Sequence, residues 1–307
     1  MKILNVEQIK SLDALTIGHE PIASIDLMER ASSAFVYWFT SRFGSDKRIL
    51  TYCGTGNNGG DGLAVARLLA EKGYQVDVTI IGDSETGSAD FTSNLQRLPF
   101  GLCNDPIINN YDIAIDAIFG SGLTRPIEGF IADIITSINE SAAITNSIDN
   151  PSGLFADKHT QSENIIEANY TVSFQLPKLV FMFPEAHQYV GDWCVVDIGL
   201  DQTFISNEPS DFHFLVATKI KRLIRRLSKF DHKGSNGHAL LVAGSYGKMG
   251  AAVLAGRACL RMGVGLLSVH VPKCGNNVIQ SSVPEAMSIP DQNDFVISDI
   301  KVSDGYK

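Results

Sequence analysis

Apolar and polar positions follow two different periods along this chain. After Asp26, the residues Leu27, Ala31, Ala34, Phe35, Trp38 and Phe39 recur at helical spacing and form one apolar face. Asp26 reads as the N-cap of that helix, with Glu29 at the capping-box position. Residues 48–52, 75–81, 112–118 and 142–148 are instead short, nearly continuous apolar runs, which predict strands. Helical patterns lie between them at 61–72, stopped by Gly73, and at 128–138. Buried strands alternating with helices predict a parallel sheet covered on both faces, a three-layer Rossmann-like α/β fold. In such sheets ligands bind where the carboxyl ends of the strands meet their loops.

The pattern breaks at 207–214, a polar stretch that includes Pro209. The run 219–229 then carries six basic residues and no acid, which reads as a solvated helix or linker between two domains. A strand at 238–243, a glycine loop at 244–250, a helix at 251–262 and a strand at 265–271 open a second α/β unit of roughly two strands. The expected division is 1–210, a linker at 211–232, and 233–307.

Length and composition narrow the function. A chain of 307 residues allows two domains. A net charge of −9, from 25 basic and 34 acidic residues, argues against nucleic-acid or membrane-surface binding, since both call for positive potential. The five cysteines are scattered and never spaced C-x-x-C, so neither a disulfide framework nor a thiolate zinc site is expected. The start has no long apolar segment, and no stretch reaches membrane-spanning length, so a cytoplasmic protein is the expectation.

The candidate chemistry lies at three predicted strand ends. Residues 52–62 read Tyr-Cys-Gly-Thr-Gly-Asn-Asn-Gly-Gly-Asp-Gly and contain G-x-G-x-x-G at Gly54, Gly56 and Gly59. Between a strand and a helix, such a loop turns backbone N–H groups toward an anionic ligand. It departs from a dinucleotide fingerprint because Asp61 stands at the helix mouth, behind Asn57 and Asn58. That favours polar ligand groups or a cation as well as phosphate. The other two ends are 116–126 and 147–154, where Asp116 and Asp149 close apolar strands. Each acid taken alone suits a cap or turn; two beside a glycine loop suit proton transfer. Asn58, Asp116 and Ser152 are hard oxygen donors, apt for a hard cation, although Ser152 also reads as a helix cap. The seven histidines form no H-E-x-x-H, and neither G-x-S-x-G nor a Walker loop occurs. The loop 244–250 resembles a phosphate loop only loosely, because Met249 follows Lys248.

These residues resemble a known family. The segment Cys53-Gly-Thr-Gly-Asn-Asn-Gly-Gly-Asp-Gly62 is similar to the signature loop of the NAD(P)H-hydrate epimerases. Leu27-Met28-Glu29-Arg30-Ala31 resembles that family's N-terminal helix. Residues 116–122, 148–154, 174–178 and 183–185 resemble its later blocks, in order, over about residues 3–205. Residues 233–271 and 283–287 resemble the start of the ADP-dependent hydrate dehydratase domain, a ribokinase-like fold. The resemblance implies epimerisation at C6 of R- and S-NADHX or NADPHX, the hydrated reduced nicotinamide cofactors. It places substrate at Asn57, Asn58, Gly59, Gly60 and Asp61, and at Gly120, Ser121, Gly122, Leu123, Thr124, Arg125 and Pro126. It makes Asp149 the catalytic or substrate-binding acid and Asn58, Asp116 and Ser152 the ligands of a potassium ion. It also implies a homodimer.

Asn150 stands where the family usually has an apolar residue, between an acid and a serine that are kept. The dehydratase family's later glycine-rich segment, with its catalytic Asp, has no counterpart before Lys307. The expectation is therefore that ADP- or ATP-dependent dehydration belongs to a complete chain and not to this one. The partial second domain is expected to expose strand edges and apolar surface. The rival readings are an NAD(P)-dependent oxidoreductase, with Asp83 as its second-strand acid, and a non-catalytic nucleotide-binding module.

Overall fold

Strand β1 (Lys2–Ile3) leads into helix α1 (Val6–His19), whose start is fixed by a reciprocal cap. The Asn5 side chain accepts the Gln8 N–H at 2.9 Å, and the Gln8 side chain accepts the Asn5 N–H at 3.0 Å. The structure is a computed structural model that describes residues 1–104, 106–224 and 228–300. The basic run at 219–229 therefore lies partly outside the described residues, at Arg225, Arg226 and Leu227. The chain divides into two compact units, Met1–Leu215 and Val216–Lys307.

Helix α2 (Ser24–Thr40) begins two residues before Asp26, so Asp26 is not the N-cap. It sits in the first turn, where its carboxylate reaches back to the Ala23 N–H at 3.1 Å. The expected stripe does face inward: Leu27, Ala31, Phe35, Trp38 and Phe39 are buried.

The sheet of the first unit comprises β2 (Arg48–Cys53), β3 (Gln75–Ile80), β4 (Ile113–Ala117), β5 (Ile144–Ile148), β6 (Tyr170–Phe174) and β7 (Asp192–Val196). Its order is β3-β2-β4-β5-β6-β7, parallel throughout. Helices α3 (Asn57–Glu71), α4 (Ala89–Gln96), α5 (Phe130–Asn139), α6 (His187–Val190) and α7 (Gln202–Asn207) complete the unit. Alternate strand residues point to opposite faces, so Ile49, Ile113 and Ile115 pack with Phe35, Phe39 and Leu69 of α2 and α3. Their neighbours Leu50 and Ala114 pack with Ile135 and Ile138 of α5 on the other face. Strand β8 (Phe212–His213) pairs antiparallel with β1.

The order reverses at β2, with β3 on one side and β4 on the other. The crevice for a ligand in a sheet of this kind lies at that switch point. The chain meets there at backbone distance: a Cβ on Gly54, just after β2, would fall 2.0 Å from the Ile118 carbonyl oxygen just after β4.

Helix α3 begins at Asn57, not at Asp61, so the segment 57–61 is itself the first turn of the helix. Its glycines oppose helix on propensity alone, and packing overrides that preference. A Cβ on Gly62 would lie 2.5 Å from Ala117 Cβ and 2.8 Å from Cys53 Sγ, so only glycine lets α3 lie this close to the strands.

The second unit holds α8 (Ala217–Leu223), β9 (His238–Val242), α9 (Met249–Arg261), β10 (Leu266–Val271), α10 (Asn276–Ser282) and β11 (Met287–Pro290). Its parallel sheet runs β11-β10-β9, one strand more than the apolar pattern implied, because β11 is short and mostly half-exposed. Leu267, Val269, Val271, Ile279 and Val283 form its core. Among the described residues β9 and β11 are sheet edges, and Leu254 and Met262 are exposed.

Candidate active site

The site is assembled from the carboxyl ends of β2, β4, β5 and β6. Asp116 is buried in β4, and four donors converge on its carboxylate. Ser152 Oγ lies at 2.5 Å and Ile118 N at 3.3 Å from one oxygen; Ser147 Oγ at 2.7 Å and Ser152 N at 2.8 Å serve the other. Ser152 Oγ also accepts the Phe119 N–H at 2.8 Å. This ties the 149–154 turn to the loop after β4. No helix follows Ser152 before β6, so its role is this tie and not a helix cap. Burial pushes the Asp116 carboxyl up against the opposing pull of those hydrogen bonds.

Asn58, in the first turn of α3, touches the same loop. A Cβ on Gly120 would stand 3.2 Å from Asn58 Oδ1. The Asn58 Nδ2 is buried without a hydrogen-bond partner.

Asp149 follows β5 with φ +64°, a left-handed conformation uncommon for a residue with a side chain. That backbone aims its carboxylate sideways at the end of β6. Asp149 Oδ1 accepts Lys178 Nζ at 2.6 Å and the Phe174 N–H at 3.2 Å. Lys178 is 1% exposed, and its ammonium also donates to Ser173 Oγ at 3.1 Å. The next residue, Asn150, is fully buried and donates to the Leu154 carbonyl at 2.6 Å, closing the turn that carries Ser152. The amide that departs from the family pattern thus holds the loop's shape.

Two further acids face this ion pair. Burial, with the Asp149 charge, pushes Asp13 of α1 up to about 6, while Lys178 pulls it down. Burial, then Asp149, Asp13 and Asp90, hold the Asp61 carboxyl well above the usual range. Asp149 and Asp13 thus lie in the field of one buried ammonium, and burial beside other carboxylates favours the protonated forms of Asp13 and Asp61.

Of the residues expected from sequence, Asn58, Asp61, Asp116, Gly120, Asp149 and Ser152 are brought to this edge, and Gly59 and Gly60 are buried in the first turn of α3. Asn57 is exposed at the start of that turn. Ser121 and Leu123 are half-buried, and Gly122, Thr124, Arg125 and Pro126 are exposed on the loop after β4. Lys178 and Asp13 were not expected. The signal for Asp13 is an acid among Ile9, Leu12, Thr16 and Ile17, which at helical spacing form the inner face of α1. Lys178 lies in a segment already matched to the family, but nothing in sequence marks its burial. Two clefts of about 400 and 420 Å³ lie elsewhere, lined by Asp133 and Thr136 in one and by Asn5 and Asp157 in the other.

Residues 24–180 match the family described as YjeF-related protein N-terminus, and residues 239–303 match NAD(P)H-hydrate dehydratase. An NAD(P)H-hydrate epimerase of Lentilactobacillus buchneri is 37% identical over 64% of this chain and 94% of its own length. The chain belongs to the YjeF-related NAD(P)H-hydrate epimerase family. A bifunctional NAD(P)H-hydrate repair enzyme of Coxiella burnetii is 32% identical over 91% of the chain, and one of Moorella thermoacetica is 33% identical over 94%. The chain spans 58% of the length of each of these two. The crystal structure of yeast ynu0 has the same fold, with a TM-score of 0.57 at 21% identity over 71% of this chain and 98% of that one.

Asn58, Asp116 and Ser152 bring an amide, a carboxylate and a hydroxyl, oxygen donors of the kind a hard cation takes, to the carboxyl ends of β2, β4 and β5. Asp116 is a buried carboxylate with no cationic side chain paired to it among the described residues. The buried, unpartnered end of the Asn58 amide becomes its oxygen on rotation by half a turn. Among the described residues no group of three or more His, Cys, Asp and Glu side chains could hold a metal ion. No described helix is long and apolar enough to cross a membrane.

Proposed function

We propose that this chain interconverts the R and S forms of NADHX and NADPHX at C6, in the cytoplasm and as a homodimer. The observation that carries the reading is the Asp149 carboxylate, held by a left-handed backbone against buried Lys178 at the switch-point edge of the sheet. In this reading residues 1–210 perform the epimerisation, with 211–232 as the linker to 233–307. The segment matched to the dehydratase corresponds to the half that uses ADP or ATP in a complete enzyme.

Inversion at C6 requires the hydroxyl to leave one face of the ring and return to the other, or the ring to open and reclose. Either route moves a proton onto and off the oxygen at C6. Asp149 is the group placed to carry it, because one carboxylate oxygen is committed to Lys178 and Phe174 N while the other has no protein partner among the described residues. The first turn of α3 receives the diphosphate on its backbone N–H groups. The loop 120–126 covers the nucleotide. Asn58, Asp116 and Ser152 would hold potassium, which supplies positive charge beside the diphosphate. Asp61, whose carboxyl is held well above the usual range by burial and then by its acidic neighbours, can in its protonated form donate a hydrogen bond without adding repulsion.

A coupled assay tests this function. R-NADHX is supplied to the purified chain with an independent S-specific dehydratase and its nucleotide, and NADH absorbance is followed. The reading expects recovery well above the spontaneous rate. Tight nucleotide binding with no acceleration supports a binding module instead.

A further inference from the structure

Inverting a centre through departure and re-addition of a hydroxyl has a geometric consequence. The proton that helps the hydroxyl leave is delivered on one face of the ring, and the water that returns is deprotonated on the other. One carboxylate cannot reach both faces of a bound ring without letting it go. Asp149 supplies one.

Asp13 reaches the same place from a different element: Leu12 beside it shares one apolar cluster with Phe174 and Leu176, the residues that lead from β6 to Lys178. It sits on the inner face of α1, beside buried Leu12 and Thr16, and is itself partly buried. Among the described residues its carboxylate has no hydrogen-bond or ion-pair partner, so it contributes nothing visible to the fold that would offset its burial. The charged groups that face it are Asp149 after β5, Lys178 after β6 and Asp61 on α3. Asp90 on α4 adds to the field at Asp61. Lys178 lies 2.6 Å from Asp149 and makes no contact of that kind with Asp13. The two acids are thus made unlike: Asp149 is ion-paired, whereas Asp13 is pushed up to about 6 by burial and by Asp149's own charge. Pairs of carboxyls with divergent environments are how a site keeps an acid and a base together.

We propose that Asp13 is the second proton carrier of the epimerisation, acting on the face of the ring opposite Asp149. The proposal rests on the epimerase reading and deepens it. In one direction, the Asp13 carboxylic acid gives its proton to the C6 hydroxyl as the C6–O bond breaks. The N1 lone pair forms the N1=C6 iminium, and water leaves. A water on the opposite face then adds to C6, giving its proton to the Asp149 carboxylate while the iminium electrons return to N1. The cycle has moved one proton from Asp13 to Asp149. After the product leaves, Asp149 gives its proton to water and Asp13 takes one up from water, and the reverse epimerisation runs the same steps with the roles exchanged.

The test compares the full chain with Asp13→Asn and Asp13→Glu, following the approach of R-NADHX to its epimeric equilibrium across pH. Asp13→Asn is expected to lower kcat by roughly 10²–10⁴-fold, the usual worth of a general acid or base, with KM changed less than about twofold. The limb of the kcat/KM profile near pH 6 disappears with it, and Asp13→Glu restores part of the rate. Unchanged kcat in Asp13→Asn overturns the proposal, as does a loss confined to KM. If the unaltered chain does not accelerate the reaction, the epimerase reading is what fails. The pairing is then decided by carboxyl ¹³C NMR. Asp13 must titrate near 6 and move to lower pH in Asp149→Asn. A titration indifferent to that substitution overturns the pairing.

Discussion

Lys178 carries its charge into the interior, and the end of β6 is built around compensating it with Asp149, Ser173 and little else. Removing one member of such a pair leaves the other buried without its partner. Lys178→Met is therefore expected to cost about 3–5 kcal/mol, and the Lys178→Met, Asp149→Asn double variant less than the sum of the two. Urea unfolding of the four chains measures this, and strict additivity contradicts it. Asp13 gives a second expectation, with the opposite sign. Its carboxyl is raised from 3.8 to about 6 on folding, so the unfolded state ionises first as pH rises through that window. The folded state loses stability across it, fully so above about pH 6 and not at all below 3.8. Asp13→Asn should raise Tm by roughly 2–8 °C at about pH 7.5 and leave it unchanged near the acid end of the window. A Tm gain that does not depend on pH contradicts this. Asp116, Asp149 and Ser152 could be read in sequence because each sits at or just beyond the end of an apolar run. Lys178 could not, because its burial depends on β5 and β6 lying side by side. Asp13 was hidden with its helix, whose inner face mixes Leu12 with Thr16 and Asp13 itself.

At the scale of elements, β6 and β7 were not among the strands expected from apolar runs. The six strands that were expected were legible to within a residue or two because buried parallel strands leave near-continuous apolar runs. The start of α3 was not, since three glycines at 59, 60 and 62 signal a loop until the neighbouring strand is known. Two glycines of one loop should then respond differently to alanine. At Gly54 the added carbon meets the Ile118 backbone oxygen, which cannot swing aside, and Gly54→Ala is expected to cost at least about 3 kcal/mol or prevent folding. At Gly56 nothing lies within 4 Å and φ is −85°, so Gly56→Ala should stay within about 1 kcal/mol of the parent. Equal effects at the two positions refute the close approach of β2 and β4. The proposed potassium ligands Asp116, Ser152 and Asn58 carry an expectation of their own. Potassium, but not tetramethylammonium, should raise Tm of the unaltered chain, and Asp116→Asn should lose that response.

The molecule as a whole divides at Leu215. The antiparallel pairing of β1 with β8 closes the first unit on itself, Lys2 opposite His213. The Lentilactobacillus epimerase, matched over 94% of its length by 64% of this chain, is about the size of that unit. A chain ended after Leu215 is therefore expected to fold cooperatively and keep its epimerase turnover, read by calorimetry and by the coupled assay. The central claim is that Asp149 moves the proton at C6. Its most direct test is chromatographic. Pure R-NADHX is incubated with the full chain or with Asp149→Asn, and the R and S forms are resolved over time. The account predicts rapid equilibration by the unaltered chain and a rate at least about a hundredfold lower in a folded Asp149→Asn. Equal rates for the two would contradict it.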